Sequence, residues 1–171
     1  MLGIDPGSVV TGYGVIDSDG HSNRYLDHGS IRLDHLEQPE RMAEIQRVLA
    51  AVIGRWNPVE AAIEEVFVSR NALSALKLGQ ARGVCMAACM LNHIPVHEYA
   101  ARVVKKSVVG TGGAAKEQVQ HMTRTLLNIR GPLQADAADA LAIAICHGHA
   151  RGQRYIRGPR SSGRGLRRMK L

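Results

Sequence analysis

Two rhythms of apolar and polar positions run along this chain, and the change from one to the other marks its elements. Residues 1–5, MLGID, are mostly apolar up to an acid, and Pro6-Gly7 interrupts them. Residues 11–16, TGYGVI, predict a second strand, followed by turn residues from Asp17 to Gly20. Residues 24–33 predict a third, with Tyr25, Ile31 and Leu33 apolar, so the three make an antiparallel meander. The period then lengthens. Met42, Ile45, Val48, Leu49 and Val52 predict a helix over 38–55, ended by Asn57-Pro58. A strand is expected within 59–68, which contains AAIEEVFV. A long helix over 71–92 follows, with a break expected near Gly79 or Gly83. Residues 95–99 read as a short strand and 100–109 as a short helix. The loop Gly110-Thr-Gly-Gly113, a helix over 115–128, the break Gly131-Pro132 and a helix over 134–149 complete the pattern. This order, βββαβαβααα, predicts an α/β fold: a five-stranded mixed sheet flanked by helices on both faces.

Length and composition narrow the setting. At 171 residues the chain suits one domain, expected over 1–150, with a tail over 151–171. No run approaches the roughly twenty apolar residues of a membrane span, and no secretory leader is legible. Three cysteines, Cys85, Cys89 and Cys146, are too few and too odd in number for a disulfide framework. No membrane partner and a reducing, cytoplasmic location are therefore the expectation.

The distribution of charge changes the picture more than its sum of +7. Residues 151–171 hold seven Arg, one Lys and no acid. Within the body, residues 1–65 carry a net −6, residues 66–135 a net +7 and residues 136–150 a net −2. A basic middle and a basic tail point to a polyanion, most simply nucleic acid. The Gly, Ser and Arg of the tail lack an apolar period, so a flexible segment adding non-specific phosphate contacts is expected. With aromatics at 4%, a multi-base stacking platform is not.

Against this background four acids are misplaced. Asp5 ends an apolar strand, and Glu64 interrupts another. A buried carboxylate without a partner is costly, so it pairs or binds a cation. Asp136 and Asp139, in QADAADALAIAIC, are three apart and share one helix face. Acids in a first helical turn also favour the helix dipole, by about 0.3–1 kcal/mol at exposed sites, so helix capping competes with catalysis for this pair. Asp5 could form the turn before Pro6, and Glu64 or Glu65 could be solvated at a sheet edge. Taken together, oxygen-only ligands point to Mg²⁺ or Mn²⁺. Four acids can hold two ions about 3.5–4 Å apart, an arrangement suited to in-line displacement at phosphate. Other candidates carry less. Cys85 and Cys89 lie four apart on an apolar helix and read as core. Cys146-His147-Gly-His149 suggests zinc only with a second ligand pair, and the sequence spaces none nearby. His147 lies about 16 Å along the helix from Asp136, too far to share its metal. His121 reads as a surface histidine.

The segments GIDPGSVVTGYGVI (3–16), AIEEVF (62–67), NALSALKLGQARGV (71–84), EYAARVVKKSVVG (98–110) and QADAADALAIAI (134–145) resemble the RuvC family of bacterial Holliday-junction resolvases. They occur in order and span nearly all of residues 3–147. The resemblance implies a ribonuclease H-like fold and a homodimer that nicks two opposed strands of four-way junction DNA, working with the RuvA–RuvB branch-migration complex. It implies that Asp5, Glu64, Asp136 and Asp139 are the catalytic, metal-binding acids, with Mg²⁺ as cofactor. It prefers Glu64 to Glu65, which alternation along a strand sends to the opposite face. It also implies DNA contacts at Phe67, Lys105 and Lys116. The partner helix is expected to be 71–92, packing through Ala81, Gly83, Ala87 and Ala88. Three other readings share features with this one: a nuclease of RNA–DNA hybrids, an actin-like ATP-binding protein, and a non-catalytic junction-binding module. The first shares fold and acids, the second needs a second domain, and the third leaves the acid set unexplained.

Overall fold

The structure, a computed structural model, describes residues 1–65 and 71–157. Ten elements follow in the expected order: β1 (Leu2–Asp5), β2 (Val10–Ser18), β3 (Asn23–Arg32), α1 (Gln38–Trp56), β4 (Ala61–Glu64), α2 (Ala72–Leu91), β5 (Val96–Tyr99), α3 (Ala101–Val109), α4 (Lys116–Leu126) and α5 (Ala135–Arg157). The strands form one sheet in the order β3-β2-β1-β4-β5. β1 pairs antiparallel with β2, and β2 with β3, as hairpins permit. β1–β4 and β4–β5 are parallel, because α1 and α2 carry the chain back between them.

Two cores lie on the two faces of this sheet. Leu2, Ile4, Ala61 and Ile63 pack on one face against Ile45, Leu49, Val52 and Ile53 of α1 and Ala81, Cys85, Ala88 and Cys89 of α2. Ala62 and Ile16 pack on the other against Val104 and Val108 of α3, Val119 of α4, and Leu141, Ile143 and Ile145 of α5. Strand alternation sets the direction of the residues between them. Because Leu2 and Ile4 face α1 and α2, Gly3 and Asp5 face α5, and Ala62 and Glu64 face the same way.

Gly3 and Gly12 let α5 approach. A Cβ on Gly3 would overlap the carbonyl oxygen of Ala140, and one on Gly12 that of Asp136. The helix therefore rests on the sheet backbone to backbone, and its first turn arrives at the C-terminal end of β1.

Three expectations of detail differ. α2 runs unbroken through Gly79 and Gly83, whose absent side chains leave open space rather than a kink. The last helix does not stop near residue 149 but continues to Arg157. Tertiary contact overrides the polar composition there, because Gly152 sits against the Gly20 backbone and Arg151 pairs with Glu60 at 3.3 Å. Ala81 and Ala88 are turned into the core, so of the four small residues expected at a partner helix only Gly83 and Ala87 are exposed.

Candidate active site

Asp5 closes β1 and Glu64 closes β4. The parallel register pairs Ile4 with Ile63, so the two acids follow side by side at adjacent strand ends. Asp136 and Asp139 lie in the first turns of α5, above them. All four thus converge on the face covered by α3–α5, while Glu65 is exposed and spends its backbone N–H on the Tyr99 carbonyl at 2.9 Å. Repulsion reports the convergence. The Asp5 carboxyl is pushed up to about 7, first by burial and then by Asp139, Glu64 and Asp136, with Lys116 opposing. Glu64 is also raised, by burial and by Asp139, against Lys116 and Lys105.

Two lysines stand at this focus. Lys116 Nζ pairs with Asp139 Oδ2 at 2.7 Å, a bond that raises its own pKa. Lys105 Nζ donates to the Ala114 carbonyl at 3.0 Å, which ties α3 to the loop before α4. Glu64, Lys105, Lys116 and Asp139 line one open cavity floored by Val104, Val119 and Ile143. Phe67 falls within residues 66–70, outside the described residues, as do residues 158–171 of the tail.

The donor set suits a hard divalent cation. The site holds carboxylate oxygens without sulfur or imidazole, and the Asp5 and Glu64 carboxyls are both raised, by burial and then by neighbouring carboxylates. No three of the four acids bring ligand atoms within 4.8 Å of one another, and the Lys116 ammonium rests on Asp139.

Two residues had no signal in the sequence. Gln120 of α4 donates its amide to Asp139 Oδ1 at 3.3 Å. Arg82 of α2 reaches the Glu64 carbonyl at 3.4 Å and pairs with Glu98, bracing the end of β4. Both are ordinary polar residues on helices, and only the fold brings them to the acids.

Comparison with known proteins identifies the family. The family model described as crossover junction endodeoxyribonuclease RuvC matches residues 1–147. A protein of that name from Marinobacter nauticus is 52% identical over 164 residues, which is 96% of this chain and 93% of the relative. One from an Enterobacter species is 56% identical over 149 residues, 87% of this chain and 86% of the relative. Among solved structures, Thermus thermophilus RuvC in complex with a Holliday junction substrate superposes with a TM-score of 0.83 at 34% identity, covering 89% of this chain and 94% of that one. The yeast mitochondrial Holliday junction resolvase Ydc2, 11% identical with a TM-score of 0.61, shares the fold, which is ribonuclease H-like. The chain belongs to the RuvC family of crossover junction endodeoxyribonucleases.

Proposed function

We propose that this protein resolves four-way DNA junctions by metal-dependent phosphodiester hydrolysis at Asp5, Glu64, Asp136 and Asp139, serving homologous recombination and DNA repair. The observation that carries the reading is the gathering of these acids where β1 and β4 end beneath α5: burial, and then the charges of Asp139, Glu64 and Asp136, push the Asp5 carboxyl up to about 7. Mg²⁺ ions bound there, two per site with Mn²⁺ as an alternative, would polarise the phosphoryl group and activate water. The four carboxylates hold and orient those ions. Lys116 and Lys105 draw phosphate oxygens into the cavity they line with Glu64. Gln120, hydrogen-bonded to Asp139, fixes the rotamer of that acid.

The protein acts as a homodimer in this reading. α2 exposes Leu73, Leu76 and Met90, together with Gly83 and Ala87. These residues recur at the three-and-four spacing of a helix seam, which supports α2 as the surface that meets a second copy. Two sites in opposed orientation would then give paired, symmetric nicks. Family membership supports collaboration with RuvA–RuvB and a cytoplasmic location as further parts of this reading. Among the described residues no helix is long and apolar enough to cross a membrane.

A mobile four-way junction incubated with Mg²⁺, with both nicks mapped, tests the reading. Symmetric paired nicks are expected, and Asp5→Asn should bind the junction without cutting it. An RNA–DNA hybrid cut faster than the junction would overturn the substrate assignment, and normal cleavage by the variant would overturn the site.

A further inference from the structure

A second group of potential ligands lies under the same helix, at the opposite end of the sheet. Glu60 precedes β4, His97 lies in β5 beside Ala62, and His147 lies in the buried stretch of α5. Among the described residues these three alone among His, Cys, Asp and Glu bring one ligand atom each within 4.8 Å of one another. Glu60 stands four residues before Glu64 on one strand, about 13 Å away. His147 stands eight residues beyond Asp139 on one helix, about 12 Å away. No ion could be shared with the acids.

We propose that Glu60, His97 and His147 form a binding site for a divalent transition-metal ion, Zn²⁺ by donor set, separate from the nuclease centre. Two imidazoles and one carboxylate are a borderline-soft set, unlike the oxygen-only set at Asp5, and a tetrahedral ion held by three side chains keeps a fourth position for water. The three ligand atoms lie within 4.8 Å of one another, against about 3.3–3.5 Å in a closed site at the usual zinc bond lengths.

Outer partners are in place. His147 is almost wholly buried, with a side chain 4% exposed. Its Nε2 lies 3.0 Å from Glu60 Oε2 and its Nδ1 lies 2.9 Å from the Tyr99 hydroxyl. Without a metal, a proton on Nε2 donates to Glu60; an ion bound there would replace that proton, and Nδ1–H would then donate to the Tyr99 hydroxyl, an outer hydrogen bond of the kind that orients a ligating histidine. The His97 ring stacks on that of His147 with centroids 4.5 Å apart, so neither imidazole turns away freely. Arg151, 3.3 Å from Glu60 Oε2, leaves the carboxylate further lone pairs and can hold it from outside.

The test uses the full chain, stripped with chelator and titrated with Zn²⁺ in excess Mg²⁺, with bound zinc measured by atomic emission and its ligands by X-ray absorption at the zinc edge. The expected result is one zinc per chain with nitrogen and oxygen ligands and imidazole scattering, retained in Asp5→Asn. His97→Ala, on a half-exposed edge strand, should weaken zinc by at least the roughly 10–100-fold that losing an outer partner costs, and Tyr99→Phe by about that amount. Zinc should raise the melting temperature of the parent and not of His97→Ala. Release of zinc by Mg²⁺ or by Asp5→Asn would assign the ion to the nuclease acids, sulfur scattering would assign it to cysteines, and unchanged affinity in His97→Ala would exclude the trio; each result overturns the proposal.

Discussion

Replacing Asp5 by Asn is expected to make the metal-free protein more stable while abolishing its nuclease activity. The folded Asp5 carboxyl titrates near 7 against an ordinary value of 3.8, because it is buried among Asp139, Glu64 and Asp136. The folded state therefore holds a proton that the unfolded chain gives up between those two values. Linkage gives the sign: the stability associated with the protonated carboxyl is complete below pH 3.8 and is lost as pH rises through 7. At about 1.4 kcal/mol for each pH unit, the full displacement corresponds to about 4 kcal/mol. Some of it is shared with the neighbouring acids, so this is an upper bound. Asparagine is close to the shape of the protonated acid and carries no charge at any pH. Urea unfolding in chelator should show parent and variant within about 1 kcal/mol at about pH 4 and the variant ahead by up to about 4 kcal/mol at about pH 8. For a domain of this size that is about 8–16 °C in melting temperature. Mg²⁺ should narrow the gap by stabilising the parent alone. A gap that does not change with pH, or a parent more stable than the variant in chelator, would refute the electrostatic account of the site.

Three further outcomes rest on single contacts. Lys116→Ala should lower cleavage and reduce the slope of log affinity against log salt by about 0.9, the effect of one lost phosphate contact, as measured by junction binding across a salt series. Gly12→Ala places a Cβ on the Asp136 carbonyl oxygen; the helix must lift, with an expected loss of about 1–3 kcal/mol in urea unfolding and of cleavage in the junction assay. Leu76→Glu, on the exposed seam of α2, should yield a monomer in sedimentation and leave at most single nicks.

The sequence carried the architecture because each element has a strong local signature. The apolar period shifts from short runs to helical spacing at residue 38, and Asn57-Pro58 and Gly131-Pro132 punctuate the chain. The acids were legible for a related reason. A carboxylate amid MLGID or AAIEEV contrasts with its surroundings; alternation lets only one of Glu64 and Glu65 join the site, and the family resemblance prefers Glu64. The features that stayed hidden depend on tertiary placement. Gln120 and Arg82 look like any solvated helix residue. Glu60, His97 and His147 are dispersed along the chain, and the sequence offered no partner for the histidine after Cys146. The extension of α5 to Arg157 rests on Gly20 and Glu60, each more than ninety residues away.

Seated on Gly3 and Gly12, α5 has little freedom to shift. Most helices are cushioned by side chains whose rotamers relax when neighbours change. At these two glycines main chain meets main chain, with no side chain between them to give way. Substitutions among Ile45, Leu49 or Cys85, on the far face, can be absorbed by rearrangement there. The acids of α5 keep their height above the strand ends, because their position is gauged by the thickness of two polypeptide backbones.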